Sequence, residues 1–401
     1  MKVKVAKWYS GASSPVTFMI DDLANVYIDV NGNNIPDPGE DWGHFRDQEN
    51  STFNYLKKNL LDRFPKIKTT FFVPLDRRPL REDHDYNAHF GPINESPEIE
   101  EFFRKIHNNE KFEIAYHGLT HGISGTAETP FVQEWLSYET LDEALNTISK
   151  GREMFFEVFK ENPVGGKYCG YARNSFSDES IDKSGFYWWC RFWDRVNSEF
   201  KDKQKFMPRY FGENNVIDIP TTLAGNLFLV PAINPIKQIV KKIIGKKIIT
   251  KESIFSKGYK QIDSLLRNRQ VISVQEHIAP SRTDGKRQGL NIFDDMESLL
   301  EIFSYLSNKN VWYATCSQIA QYFEFYSAAK CKIDKDKFNF EYTGRNFCKQ
   351  NITLIFSNVE KPFKIESDNG VTYTPEVNKD DNTYFIKDFP AVTKNYKIIS
   401  V

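Results

Sequence analysis

The chain has 401 residues, with 53 Lys and Arg against 54 Asp and Glu, a formal net charge of −1, and an aromatic share of 15%. Such a length buries a large core and predicts two domains, or a barrel with an appendage. The near-neutral balance provides no long-range field to gather polyanions, which argues against nucleic acid as the main partner. The cysteines Cys169, Cys190, Cys316, Cys331 and Cys348 are too irregularly spaced for a disulfide framework or a zinc ribbon. The N-terminus shows no run of signal-peptide type, and no segment approaches the roughly 20 apolar residues of a membrane span, so a cytoplasmic location is expected.

In chain order, the apolar run "SPVTFMI" reads as a buried strand and ends on the twin carboxylates Asp21 and Asp22. Neighbours in a strand point to opposite faces, so both carboxylates serve one site only where the strand frays into a loop. "DVNGNNIPDPGE" follows, with Asp29, Asn31, Asn33, Ile35, Asp37 and Glu40 at loop positions 1, 3, 5, 7, 9 and 12, the ligand positions of an EF-hand-type calcium loop. Asn34 stands where that loop wants glycine. No helix pair flanks it, so the expectation is a calcium-stabilised insertion, set against a plain polar turn.

The helical pattern "STFNYLKKNLLDRF" then gives way to the strand "KIKTTFFVPL", the helix "PEIEEFFRKIHNN" and the strand "KFEIAY". Directly after it, "HGLTH" sets His117 and His121 four apart in a loop. Gly118 excludes the helical metalloprotease motif, which needs Glu beside the first histidine. The pair is read either as two imidazoles meeting local hydrogen bonds or as two ligands awaiting a third, and one of the twin carboxylates Asp21 and Asp22 is placed to supply it. Two histidines, a carboxylate and open positions form the ligand set of a hydrolytic zinc site, and suit cobalt, nickel or iron as well.

Further on come the helix "YETLDEALNTISKGREMFFEVF", the arginine segment "GYARNSF", the strands "GFYWWCRF", "VIDIPTT", "QVISVQEH" and "NVWYATC", and the helix "FDDMESLLEIFSYLSNK". About seven strands alternating with helices predict a parallel (β/α) barrel with its site at the C-terminal strand ends. In "PIKQIVKKIIGKKIITK", across 235–251, isoleucines at helical spacing oppose lysines; the readings are a helix on an anionic membrane surface, where a lipid-linked glycan would be presented, or a core-packed helix with a solvated face. After Ala328 the pattern becomes period-two alternation punctuated by Asn, Gly and Pro, which predicts a small β-sandwich. The expected domains are 1–327 and 328–401.

The order of these elements, Asp21-Asp22 after a strand, "HGLTH" after a later one, "GYARNSF" and then "VISVQEH", resembles the polysaccharide deacetylase family (NodB-homology, carbohydrate esterase family 4) across roughly residues 15 to 325. The resemblance implies a distorted α/β barrel in which Asp22, His117 and His121 hold a metal and Asp21 is the catalytic base. It further implies that Arg173 orients Asp21, that His277 protonates the leaving group, and that the Phe176 backbone N–H stabilises an oxyanion. Val274 and Gln275 would line the acyl pocket. Leu23 stands in place of the family's glycine, Ser175-Phe176 in place of Pro-Tyr, Gln275 in place of an apolar residue, and the family's fourth motif is matched only loosely, around Asp194. The expected function is metal-dependent removal of an acyl group, acetyl above all, from an amino sugar of a bacterial surface polysaccharide or its precursor. The alternatives are a catalytically silent glycan binder and a metal hydrolase of another ester.

Overall fold

The computed structural model describes residues 1–193, 206–230, 250–378 and 383–400. The chain divides into two compact units, one of residues 16–309 and one of residues 1–15 with 310–401.

The main sheet of the larger unit is built on β1 (Ser14–Asp21), β2 (Thr69–Val73), β3 (Phe112–Tyr116), β4 (Gly165–Lys167), β5 (Trp188–Cys190), β6 (Arg209–Phe211), β7 (Val216–Asp218), β8 (Leu223–Ala224) and β9 (Ile272–His277). They form one sheet in the order β6-β7-β5-β4-β3-β2-β1-β9-β8. Every pairing is parallel except that of β6 with β7. β1 is buried at all eight positions and β2 at all five, as expected of parallel strands covered on both faces, which read as apolar runs without alternation. The sheet curls on itself through one stretch of chain. β7 pairs with β5 on one side, and β8, which begins five residues after β7 ends, pairs with β9 on the other. Pro220 lies between the two halves and breaks the ladder, since it has no N–H to give. The result is a distorted barrel of the predicted kind.

Helices are placed where their caps are. Ser96 accepts from the Ile99 N–H and Pro97 opens the helix Pro97–His107, whose buried stripe is Ile99, Phe102, Phe103 and Ile106. Thr140 caps Leu141–Phe159 in the same way. The helix Lys251–Arg267 is opened by a Thr250–Ser253 capping box and is not among the helices expected from the sequence.

β4 was also missed, and for a clear reason. Its sequence, Gly165-Gly166-Lys167, has no apolar residue to announce a strand, yet it is buried throughout. A Cβ on Gly165 would lie 2.1 Å from the Trp188 indole, and one on Gly166 would lie 2.2 Å from the Tyr116 carbonyl oxygen. The strand exists because glycine lets it pass between the large residues of β3 and β5. Those residues, with Trp135 and Tyr168, form an aromatic core in which Trp135 and Tyr168 rings lie 5.1 Å apart and Tyr168 and Trp189 5.5 Å apart. Core packing thus takes up a large part of the aromatic content.

The smaller unit is all-β apart from the helix Cys316–Ala328 and a short turn. One antiparallel sheet contains Lys2–Val5, Ile352–Ser357, Thr383–Phe389 and Glu376–Asn378; the other contains Lys330–Asp334, Lys337–Glu341, Lys394–Ser400, Phe363–Ser367 and Thr372–Tyr373. The division therefore differs from the expected 1–327 and 328–401. The strand Lys2–Val5 pairs with residues 354–357, a partner no local pattern announces, and Val311–Tyr313, which pairs with β1 as a tenth strand of the barrel sheet as expected, is grouped with this unit. Of the lysine-rich stretch 235–251, residues 235–249 lie outside the described residues, as does Asp194. Among the described residues no helix is long and apolar enough to cross a membrane.

Gly165→Ala is expected to cost about 1–3 kcal/mol or more by overpacking, measured as a lowered urea midpoint with unchanged m-value.

Candidate metal and acyl-transfer site

Register assembles the site. His277 at the end of β9 pairs with Asp21 at the end of β1, Asp21 with Phe72, Val73 with Tyr116, and Tyr116 with Gly166. Asp21, His277, His117 and Lys167 consequently meet on one rim, the C-terminal end of the strands where such barrels carry chemistry. Asp22, the first residue past β1, has φ +68, and its N–H still bonds the Phe72 carbonyl at 2.9 Å. This left-handed turn lets both carboxylates serve one site. His121 also has φ +68. Such values in non-glycine residues are costly and concentrate at functional sites.

The loop between the histidines is clamped by Glu134, which is buried and accepts from the backbone N–H groups of Leu119 at 3.0 Å, Thr120 at 2.8 Å and His121 at 2.8 Å, and from the Tyr138 hydroxyl at 2.7 Å. Gly118 is required here twice over. Its φ is +86, and a Cβ on it would stand 2.5 Å from the Glu134 carboxylate.

His117 has its Nδ1 3.0 Å from the Lys167 carbonyl, which makes Nδ1 the protonated nitrogen and leaves the Nε2 lone pair free. Burial pushes its pKa down to about 4, so the ring is neutral at ordinary pH. Asp22 Oδ1 lies 3.1 Å from His121 Nε2 and 3.7 Å from His117 Nε2. That oxygen is buried and takes part in no hydrogen bond. Donors held 2.0–2.1 Å from a tetrahedral metal stand about 3.3 Å apart, and the oxygen stands from each of the two nitrogens at close to that spacing. The residues fit a divalent metal. Asp22 Oδ2 faces Arg77 at 3.5 Å, and Arg77 lies 4.2 Å from the centre of the Trp42 ring. Burial raises the Asp22 pKa, but His121 and Arg77 outweigh it and hold the carboxyl well below its usual range.

The Cys169 sulfur also lies within 4.8 Å of ligand atoms of both histidines. Its hydrogen is given to the His117 carbonyl at 3.1 Å, and burial and Glu134 push its pKa well up. Asp22, whose Oδ1 lies 3.1 and 3.7 Å from the two Nε2 atoms and whose carboxyl is held ionised, is the other candidate for the third position.

Asp21 is buried, and its Oδ1 accepts from Lys167 Nζ at 2.7 Å. Burial raises its pKa, but Lys167 first, then His117 and His277, hold it below the usual range. Lys167 is fully buried, donates a second hydrogen bond to Gln275, and sits 3.9 Å from the centre of the Phe72 ring. The expectation gave this place to Arg173. Instead, Arg173 Nη1 donates to Asp178 at 3.1 Å, and its guanidinium lies over Phe192.

Phe176, expected to supply an oxyanion donor, gives its N–H to Asn174 Oδ1 at 3.2 Å, closing its own turn. Gln275 does not line an acyl pocket. It is buried in the sheet as acceptor for Lys167 and for the Tyr171 hydroxyl at 3.3 Å. Val274 is buried beside it, between Phe18 and Leu223 of the flanking strands. His277 has Nδ1 2.7 Å from the Leu290 carbonyl and Nε2 3.1 Å from Gln288 Nε2. Asp22, His117, His121 and His277 face a hollow of 730 Å³ whose walls include Arg77, Gly170 and the 126–131 loop.

The 29–40 loop adopts its expected turn, with Asn34 at φ +58. Asp29 accepts from the N–H groups of Gly32, Asn33 and Asn34, and Glu40 from those of Val30, Asn31 and Asp37. Asp37 takes the side-chain amides of Asn31 and Asn33, and the Ile35 carbonyl accepts from Tyr27. These carboxylates are directed at the loop's own donors, so the turn matches the calcium expectation while the side chains do not converge as a ligand set.

The chain is similar to solved carbohydrate deacetylases. A structure assigned as a polysaccharide deacetylase from Mycobacterium smegmatis matches at TM-score 0.45 and 17% identity, over 81% of this chain and 94% of that one. Agd3, described as a novel carbohydrate deacetylase, matches at 0.46 and 12%, over 99% and 66%. A 4-alpha-glucanotransferase from Thermococcus litoralis matches at 0.43 and 12%, over 77% and 40%. No family model matches the sequence, and no curated protein does either. At such scores the likeness says nothing of activity, and the site geometry carries the reading that follows.

Lys167→Met, which strands a buried carboxylate, is expected to cost about 3–5 kcal/mol of stability, with much of it regained in Lys167→Met/Asp21→Asn. Urea unfolding of both variants measures this, and a single-variant loss under about 1 kcal/mol would contradict the pairing.

Proposed function

We propose that this chain is a metal-dependent hydrolase that removes an acyl group, acetyl in the first place, from an amino sugar of a bacterial surface polysaccharide or its precursor. The observation that carries the proposal is the unpartnered Asp22 Oδ1 standing 3.1 and 3.7 Å from two imidazole Nε2 atoms, with a second carboxylate and a third histidine on the same rim. Asp22, His117 and His121 would hold the metal. When bound, a divalent metal lowers the pKa of water from about 15.7 toward 7 and polarises the acyl carbonyl.

The chain's own groups supply the rest. Asp21 accepts the proton of the attacking water through Oδ2, because Oδ1 is engaged by Lys167. The Lys167 ammonium keeps the carboxylate ionised and fixes its direction. His277 gives a proton to the departing amine from Nε2, since Nδ1 is committed to the Leu290 carbonyl. Gly170, which lines the hollow, takes the role expected of Phe176 and offers its N–H to the developing oxyanion, a donor of a kind worth about 10²–10³ in rate. In the silent-binder alternative the same hollow would bind glycan without turnover.

Acetate release from a panel of N-acetylated sugars, with metal content measured on the same samples, tests the reading. Asp21→Asn is expected to retain the metal and lose about 10²–10⁴ in kcat, whereas His121→Ala is expected to lose the metal. A metal-loaded intact chain that releases no acyl group from any member of the panel would contradict it.

A further inference from the structure

The proposed chemistry asks His277 to give a proton from Nε2, yet the loop after β9 holds that nitrogen in another state. Nδ1 lies 2.7 Å from the Leu290 carbonyl, which only accepts, so Nδ1 carries a hydrogen. Nε2 lies 3.1 Å from Gln288 Nε2. Arg282 decides which end of the Gln288 amide faces the ring, because a guanidinium has donors and no acceptor. Its Nη1 donates to Gln288 Oε1 at 3.3 Å, which turns the NH2 group toward His277. Two N–H donors cannot share that gap, so the bond runs from the amide to the Nε2 lone pair, and the amide stands where the reacting proton must sit.

The amide is held in this orientation. Arg282 is fixed by two bonds to Asp284, at 2.9 and 2.6 Å, and Asp284 accepts from the Lys286 N–H at 3.2 Å. The Gln288 backbone donates to the Pro280 carbonyl at 2.8 Å and accepts from the Asn291 side chain at 2.9 Å. Reversing the amide would point its NH2 group at the guanidinium. The half-buried Gln288 lines the same hollow as Asp22, His117 and His121, so a ligand filling that hollow meets it directly.

Charges of both signs surround the ring. Asp21 and Asp22 at the end of β1, with Glu128 and Asp284, favour a cationic imidazole. Arg77, Arg81, Arg282 and Lys286 oppose one, and a metal at His117 and His121 joins them. A hydrogen bond that accepts only the neutral ring decides between the two groups.

We propose that Gln288, held by Arg282, is a positioning residue that keeps the His277 Nε2 lone pair engaged in the resting enzyme, so that His277 becomes a proton donor only when substrate in the hollow displaces the amide. The proton then taken up from solvent passes to the amine nitrogen as its bond to the acyl carbon breaks, and Asp21 returns to solvent the proton it took from water. The role given to His277 rests on the hydrolase reading, but the contact itself is observable without turnover.

Two measurements on the zinc-loaded full chain test the proposal; Gln288 lies on a surface loop, so its substitution leaves the core intact. Nitrogen NMR of the chain labelled at histidine and glutamine is expected to show coupling across the Gln288–His277 N–H···N bond, lost in Arg282→Met, which frees the amide to turn. In the pH dependence of kcat/KM, read by acetate release, Gln288→Glu presents an acceptor to Nε2 and is expected to extend the basic limb upward by about one unit, tenfold in rate on that limb. Gln288→Leu, which removes the donor without supplying an acceptor, is expected to move it less, whereas a merely structural Gln288 would lower kcat/KM evenly at every pH. No coupling in the unaltered chain, or coupling unchanged in Arg282→Met, would overturn the proposal whatever the activity, and a basic limb unmoved in both Gln288 variants would overturn it as well. Coupling that Arg282→Met abolishes, with no acetate released from any N-acetylated sugar, would support the Gln288 contact and overturn the hydrolase reading instead.

Discussion

Two neighbouring carboxylates, Asp21 and Asp22, are both almost fully buried, at 3% and 2% exposure, and the rest of the site is arranged to make that tolerable. Burial disfavours each charge, and each charge disfavours the other. The fold separates their partners. Lys167 meets Asp21 from β4, while Arg77 meets the far oxygen of Asp22 from the loop after β2. The left-handed turn at Asp22 places its other oxygen against the histidines. In the proposed reading, the division of labour between Asp21 as base and Asp22 as ligand follows from this placement of cations.

The cations are themselves positioned by features far from the chemistry. Lys167 reaches Asp21 only because the two glycines before it let β4 thread between Tyr116 and the tryptophans of β5. The histidine loop keeps its shape because one buried carboxylate, Glu134, takes three of its N–H groups. Precision in such sites comes from supporting shells of this kind, which lock the first contacts.

Much of this was legible in the sequence. Strong apolar runs gave β1, β2, β3 and β9, and with them the rim on which Asp21, Asp22, His117, His121 and His277 meet. What failed had physical causes. β4 is a strand without apolar residues, so no pattern marks its end residue Lys167, and the resemblance through "GYARNSF" assigns the orienting role to Arg173 instead. Gln275 looked anomalous as an acyl-pocket wall and makes sense as the acceptor for a buried ammonium. Glu134 and Arg77 gave no local signal, because a clamp and a counter-charge are defined by what they meet across the fold. The strand Lys2–Val5 escaped for the same reason.

The claim on which everything turns is that Asp22, His117 and His121 jointly hold one metal ion. X-ray absorption fine structure on the zinc- or cobalt-loaded full chain tests it most directly. The account predicts about one metal per chain with a nitrogen and oxygen shell at about 2.0–2.1 Å, imidazole outer-shell scattering and no sulfur. A sulfur shell near 2.3 Å would put Cys169 in the place of Asp22, and failure to retain any metal would contradict the account altogether.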